Sequence, residues 1–302
     1  MFAMLALMYF LRVHIKLIAA GAILFLFAAD IIIWGAIFVH GEKPDISAHF
    51  FDVGQGDSIF IESRDGTQIL IDGGPDNKIL SFLGEQMQFY DRSLDAVVLT
   101  HPHADHVTGL LWVLKRYRVG VLVTSGVSYH TAEAAEFNRI ISEQKLPRLI
   151  VDRPMIMRFA DGAELKFFTP TNSHYEAKPK NIHDAMIVSE LDYNGKRILL
   201  MGDAEKNIER NLIARGILND VDVIKVGHHG SKTSSNKEFL KATKPDYAII
   251  SVGRRNRYGH PHPDALSRLV TSGAKIFRTD IDGTIRAEIR DTRLLIRSNS
   301  RE

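Results

Sequence analysis

The chain has no cysteine in 302 residues. That absence excludes a disulfide framework, a thiolate metal site and a cysteine nucleophile. It leaves the compartment open, because a large core needs no disulfide even in an oxidising space. An excess of one charge is also lacking: 38 Lys+Arg stand against 36 Asp+Glu, a net charge of +2. A wholly polybasic nucleic-acid binder is therefore excluded, whereas a local basic patch is not. There is no low-complexity tract and no repeat of fixed period. A hydrophobic content of 45% with 25% charged residues excludes wholesale disorder. What is plentiful is histidine, 13 residues. Any metal chemistry here must use imidazole and carboxylate.

One long apolar run is present. Leu17–Val39 is 23 residues with a single charge, Asp30. At about 1.5 Å rise per residue, a helix of that length crosses a hydrocarbon core of about 30 Å. A cleaved signal peptide has a shorter apolar region and a small-residue cleavage site, neither of which is seen, so an uncleaved anchor is expected. Asp30 costs about 2.5–3.5 kcal/mol at mid-bilayer. It is either a tolerated charge among Ile, Leu and Phe or a contact with a partner helix. Arg12 and Lys16 precede the run, and only His40, Glu42 and Lys43 follow it. The positive-inside rule then puts the N-terminus in the cytoplasm and the large domain outside. Met1–Leu11 is apolar but too short to span. The expected organisation is a single-pass membrane anchor over 1–44 and one domain over 45–302.

Beyond Pro44 strands and helices alternate. Ile46–Val53, Ser58–Glu62 and Thr67–Ile71 read as strands, the last after the Asp65-Gly66 turn. Leu94–Thr100 and Val119–Thr124 are short apolar runs suited to buried strands, separated by the helical period of Val107–Arg118. Thr131–Gln144 reads as a helix and Leu165–Thr169 as a strand. Asn194-Gly195 between Ala185–Tyr193 and Lys196–Met201 is a strong hairpin signal. Glu205–Ala214, Asn236–Ala242 and Asp264–Ser272 read as helices between strands at Asp222–Val226, Tyr247–Val252 and Ile276–Arg278. Thr284–Ile289, reached through Asp282-Gly283, and Leu294–Arg297 end the series. The fold class is α/β, with helices covering sheet faces.

The decisive segment is T-H-P-H-A-D-H, Thr100–His106, directly after an apolar strand. His101, His103, Asp105 and His106 offer four metal-binding groups within six positions. A loop at a strand end can turn all four inward, which a regular strand or helix cannot. Nitrogen and oxygen donors suit Zn²⁺ and its first-row neighbours. Basic residues also cluster: from Lys225 to Arg257 there are eight cations and two acids.

The histidine loop resembles the signature of the metallo-β-lactamase superfamily. D-V-G-Q-G-D-S (52–58), I-D-G-G (71–74), G-D-A-E (202–205), K-V-G-H-H-G-S (225–231) and Y-G-H-P-H-P (258–263) follow in the order seen in one branch of it. That branch is the ComEC type, the C-terminal hydrolase domains of competence DNA-uptake channels. The resemblance covers roughly 46–290, and one apolar span stands where such proteins carry a polytopic channel. It implies a metallo-β-lactamase-like αββα sandwich, two divalent metal ions (Zn or Mn) and a metal-bound hydroxide as nucleophile.

The resemblance also implies roles for particular residues. His101, His103, Asp105 and His106 would be metal ligands and Asp203 the carboxylate that bridges the ions, although Asp203 alone reads equally as a helix N-cap. A late histidine would be His228 or His229; His228, after Gly227, is the expected ligand, with His229 as proton donor. In many relatives a histidine before the hairpin completes the first site; here Asn181 stands there, with His183 two residues on. An Asn carbonyl would favour Mn²⁺ over Zn²⁺, and His183 could substitute if the loop bends. Asp105 and Asp203 would set the geometry of the attacking water, and His229, Lys232 and His260 could assist the leaving oxygen. Ser231, Lys232, Asn256, Tyr258 and His260 are candidate substrate contacts, flanked by Arg254, Arg255 and Arg257. Asp72 could orient a ligating histidine; Asp52 and Asp57 read as turn residues.

The function so implied is a membrane-anchored metallo-phosphodiesterase, a nuclease acting on single-stranded DNA, with a separate uptake channel as a possible partner. The alternatives are hydrolysis of another cell-envelope phosphodiester and a non-catalytic DNA-docking module. β-Lactam hydrolysis gives the motifs outside the histidine loop nothing to do.

Overall fold

A computed structural model describes residues 2–40, 43–172, 177 and 181–299. The chain divides into two compact units, Met1–Lys43 and Pro44–Glu302.

The first unit is one helix, α1 (Phe2–His40). Among the described residues it alone is long and apolar enough to cross a membrane, over Met8–Gly35 with a mean hydropathy of 2.4. The apolar segment before the span, too short to cross by itself, is part of the same helix. No Pro or Gly occurs before Gly21, so nothing stops the helix from running on through Arg12, His14 and Lys16.

The second unit opens with β1 (Ile46–Phe50), β2 (Ile59–Ser63), β3 (Gln68–Ile71), α2 (Ile79–Gln86), β4 (Ser93–Leu99), α3 (Ala104–Leu114), β5 (Arg118–Thr124), α4 (Ala132–Gln144) and β6 (Arg148–Ile150). Its second half contains β7 (Met155–Arg158), β8 (Glu164–Thr169), β9 (Val188–Tyr193), β10 (Lys196–Leu200), α5 (Lys206–Ala214), β11 (Val223–Lys225), α6 (Lys237–Thr243), β12 (Tyr247–Ile250), α7 (Pro263–Ser272) and β13 (Lys275–Arg278). After α8 (Thr279–Asp282) the chain returns to the first sheet with β14 (Ile285–Arg290) and β15 (Arg293–Ser298). One sheet has the order β15-β14-β1-β2-β3-β4-β5-β6 and the other β13-β12-β11-β10-β9-β8-β7. Asp282-Gly283 is thus a crossing between sheets and joins no hairpin. α2, β6 and β7 are absent from the sequence reading; β6 and β7 are three and four residues long, with exposed or half-buried side chains.

The strands are apolar on both faces because both faces are covered. In β4, Ala96 and Val98 enter the core between the sheets, whereas Leu94, Val97 and Leu99 pack under α2, α3 and α4. In β10, Ile198 and Leu200 face the same central core and Leu199 packs under α5 and α6. Three cores separate four layers, the αββα arrangement. The parallel strands of both sheets end on the loops that carry the motifs, as open α/β sheets commonly place their sites.

Glycine sets how closely these loops approach. A Cβ on Gly109 of α3 would stand 1.8 Å from the Gly73 carbonyl oxygen, and one on Gly73 would stand 2.4 Å from Leu110 N. The I-D-G-G motif is therefore where β3 ends flush against α3, besides being a turn. Gly109→Ala forces this contact apart and should cost about 3 kcal/mol. Gly84→Ala in α2 meets nothing within 4 Å and should stabilise by about 0.5–1 kcal/mol. Denaturant melts of the two variants should move in opposite directions; equal behaviour would contradict the close crossing.

Candidate metal centre

β4 ends at Leu99, and Thr100 is fixed at once. Its backbone N–H (2.8 Å) and hydroxyl (2.6 Å) both donate to the Asp72 carboxylate. Asp72 directly follows β3 with φ 57°, a left-handed conformation that aspartate tolerates better than most residues. The same carboxylate accepts Nδ1–H of His106 at 2.7 Å. This selects the tautomer and leaves Nε2 as a free lone pair. α3 begins at Ala104, so Asp105 and His106 lie in its first turn, while His103 is the residue before it.

The other sheet supplies the facing half. Asp203 follows β10 and is buried. Its carboxylate lies 3.7 Å from His101 Nε2, 3.3 Å from His106 Nε2 and 3.4 Å from His229 Nε2. Two donor sets share it: His101, His103, His183 and Asp203, and Asp105, His106, Asp203 and His229, the ligand atoms of each set lying within 4.8 Å of one another. His101 Nε2, His106 Nε2, His183 Nε2, Asp203 Oδ1 and His229 Nε2 are all buried with no hydrogen-bond partner. One such atom costs about 1–3 kcal/mol. Five converging on one place fit divalent ions, and all-nitrogen-and-oxygen donors suit the harder first-row metals as well as zinc.

The electrostatics agree. Burial pushes the His106 ring down, but Asp203, Asp72 and Asp105 outweigh it and hold its pKa well above the usual value. His229 is likewise lowered by burial and raised further by Asp203, Asp105 and Asp57. Burial drives His101 well down, and His106 adds to this. Burial with His183 and His106 lowers His103 to about 4. Asp203 is raised by burial but held well below its ordinary range by His229, His106 and His101. The carboxylates thus demand cations, which protons on the rings supply when no ion does.

Two choices left to the sequence resolve differently in space. Val226 leads into a tight turn in which His228 and His229 both have left-handed backbone, φ 48° and 53°. Such residues cost about 1–3 kcal/mol each and cluster where side chains must be aimed. The turn aims His229, not the expected His228, at Asp105 and Asp203, 3.4 Å from each. His229 Nδ1–H donates to the Ser251 carbonyl at 2.9 Å, again freeing Nε2. His228 points to the rim, with Nδ1 3.1 Å from Glu205. The Asn181 side-chain oxygen accepts the His183 N–H at 3.1 Å and caps a short 3-10 turn. The ring brought to the first set is therefore that of His183, 5.4 Å from His101 and 5.1 Å from His103 between ring centroids.

Lys225 has no site role in the sequence, where it counts toward the basic cluster and opens the K-V-G-H-H-G-S motif. It is fully buried; its ammonium donates to Asp57 and, at 2.8 Å, to the Gly202 carbonyl. The signal was its place in the apolar strand V-I-K-V. Lys232 does not reach the centre: its side chain is 68% exposed and pairs with Asp264 at 3.6 Å. Ser231 is buried and bonds Thr233. Asn256 holds its own loop, donating to the Gly253 and His260 carbonyls and accepting from Tyr258 and His260 N–H. His260 stands by the rim, 5.7 Å from the His228 ring, with Tyr258 stacked on it at 6.0 Å.

Residues 51–254 match the model of the metallo-beta-lactamase superfamily. ComE operon protein 3 of Bacillus subtilis is 31% identical over 251 residues, 78% of this chain and 32% of its own length. Competence protein ComA of Neisseria gonorrhoeae is 29% identical over 240 residues, 78% of this chain and 31% of its own. The chain thus spans about a third of each. The metallo-beta-lactamase fold protein YhfI of Bacillus subtilis superposes with a TM-score of 0.53 at 10% identity, covering 83% of this chain and all of that one.

Asp72→Asn should weaken metal binding about 10–100-fold by loosening His106. His183→Ala should hold one ion fewer after dialysis, whereas Asn181→Ala and His228→Ala should keep the full complement. Metal content by emission spectroscopy checks this; full content in His183→Ala would remove it from the ligand set. Loading the ion-free protein in weak buffer should acidify the solution, because ions displace the protons on His106 and His229.

Proposed function

Since the chain belongs to the metallo-β-lactamase superfamily, we propose that it is a membrane-anchored phosphodiesterase cleaving single-stranded DNA with two divalent ions. The observation that carries this reading is the pair of donor sets sharing Asp203. Its similarity to competence proteins supports DNA as the polymer. α1 is the single-pass anchor, with the hydrolase domain outside, and an uptake channel is the partner this placement suits.

Bound at the two sets, divalent ions supply the charge that activates water and stabilises an attacked phosphoryl group, so no side-chain nucleophile is needed. The chain's own groups position. Asp203 ties the two sets together, and Asp105 fixes the open side of the second. Asp72 and the Ser251 carbonyl lock the tautomers of His106 and His229. At the rim Tyr258 is 56% exposed, with the Arg257 guanidinium 5.3 Å from its ring centre and His260 stacked beneath. An exposed ring with a guanidinium over it is a platform for an unpaired base and its phosphate. His260, lowered to about 4 by burial, His228 and His229, is neutral at pH 7 and accepts rather than donates protons there. Of the roles open to it, assisting the leaving oxygen or contacting the substrate, that favours the contact.

The protein should cleave single-stranded DNA when given Mn²⁺ or Zn²⁺, and Asp105→Ala or Asp203→Asn should lose at least about 100-fold in kcat/KM. Tyr258→Ala should raise KM about 10-fold with kcat nearly kept, as loss of one stacked base predicts. Raising salt should weaken DNA affinity steeply. A metal-loaded, folded protein that cleaves DNA with neither metal would overturn the nuclease reading and favour an envelope ester or a docking role.

A further inference from the structure

The end of the sandwich opposite the metal centre carries a second concentration of basic side chains. β1, β3, β4 and β5 run in one direction, with the metal centre at their carboxyl ends. At their amino ends Arg92 precedes β4 and Arg118 starts β5, and the last turns of α3 and α4 bring Arg116 and Lys145 to the same place. These cations line an open cavity of about 590 Å³, and Arg148 starts the neighbouring β6. The acids at this corner are occupied: Glu136 pairs with Lys115 at 3.0 Å, Asp91 accepts the Ser93 N–H and Asp95 the Gln68 N–H. Among the described residues no carboxylate pairs with Arg116, Arg118 or Arg148.

Beside this patch Phe89 and Tyr90 are 84% and 72% exposed, edge to face at 5.2 Å. Two large rings held out in solvent, two and three residues before Arg92, are poorly suited to bulk water. They are well suited to a bilayer surface, where aromatic rings settle at headgroup level and cations meet anionic lipid. The path of the chain favours the same ligand. It enters the domain at Asp45, at this same end, three strands or about 14 Å from β4. Asp45 is five residues beyond the end of α1 at His40, a reach of at most about 17 Å. Chain connectivity therefore ties α1 to this end of the domain.

We propose that the Phe89–Tyr90 tip and the surrounding arginines dock on anionic lipid headgroups. The metal centre then stands about one strand length, ~23 Å for the seven residues of β4, further from the bilayer. The proposal rests on α1 being a membrane anchor and is independent of the nuclease reading.

The test uses the full chain in lipid nanodiscs. Because the chain lacks cysteine, Tyr90→Cys accepts a single environment-sensitive fluorophore, and Asn207→Cys in the first turn of α5, exposed at the metal-centre end, serves as control. The Tyr90 label should shift to the blue in phosphatidylcholine–phosphatidylglycerol discs relative to phosphatidylcholine alone. The shift should vanish at high salt and in the triple variant Arg92→Glu, Arg116→Glu, Arg118→Glu, while the control label stays unchanged. Phe89→Ser, a milder variant, should reduce the shift. Chain that co-elutes with the discs but shows no lipid-dependent shift overturns the docking and leaves the anchor standing. Chain that fails to co-elute removes the anchor and the docking with it. A label that answers to oligodeoxythymidylate instead of anionic lipid makes the surface a nucleic-acid site and overturns the proposal.

Discussion

The buried ion pair between Asp57 and Lys225 joins the two halves of the sandwich directly beneath the candidate metal centre. Asp57 belongs to the loop before β2 in one sheet, and Lys225 ends β11 in the other. In the two sets that share Asp203, the donors on the first sheet's side come from Thr100–His106 and those on the second's are His183, Asp203 and His229. Neither half can hold an ion pair of metals alone, so the sheets must meet in register. A buried charge pair seldom adds net stability over an apolar one. Here it spans both sheets, and Lys225 also fixes the Gly202 carbonyl next to Asp203. Its ammonium stands 4.0 Å from Asp203, so it offsets negative charge that would otherwise crowd one place.

Around that pair the site is an excess of carboxylate awaiting cations. Asp57, Asp72, Asp105 and Asp203 lie within one cluster of imidazoles. Their field, not burial, decides the state of His106 and His229, while at His101 burial and the neighbouring His106 outweigh Asp203. The hydrogen bonds to Asp72 and to the Ser251 carbonyl turn this field into geometry. Each holds one ring nitrogen so that the other faces Asp203.

The parts legible in the sequence are those that chemistry sets locally. Six positions after an apolar strand hold His101, His103, Asp105 and His106, and the spacing alone marks a metal loop. Asp203, after L-L-M-G at a strand end, was legible only through the family resemblance, since alone it reads equally as a helix N-cap. The two paired choices were not readable, since each depends on backbone the sequence does not display. Consecutive left-handed residues exchange the directions of His228 and His229. A capping bond turns Asn181 inward to its own backbone and releases His183. Lys225 and Lys232 show the limit of counting charge: seven residues apart in one basic segment, one is sealed against Asp57 and the other lies in solvent beside Asp264. Chain reversals were legible where a tight turn stays within a sheet, as at Asn194-Gly195. Asp282-Gly283 looks similar but leaves one sheet for the other.

The positions of bound ions decide the two donor sets. Anomalous diffraction from crystals of the hydrolase unit soaked in Mn²⁺, recorded above and below the metal's absorption edge, addresses this directly. Two peaks flanking Asp203 are expected, one contacted by His183 and the other by His229. A lone peak between His228 and Glu205, or none beside Asp203 in a fully loaded crystal, would contradict it.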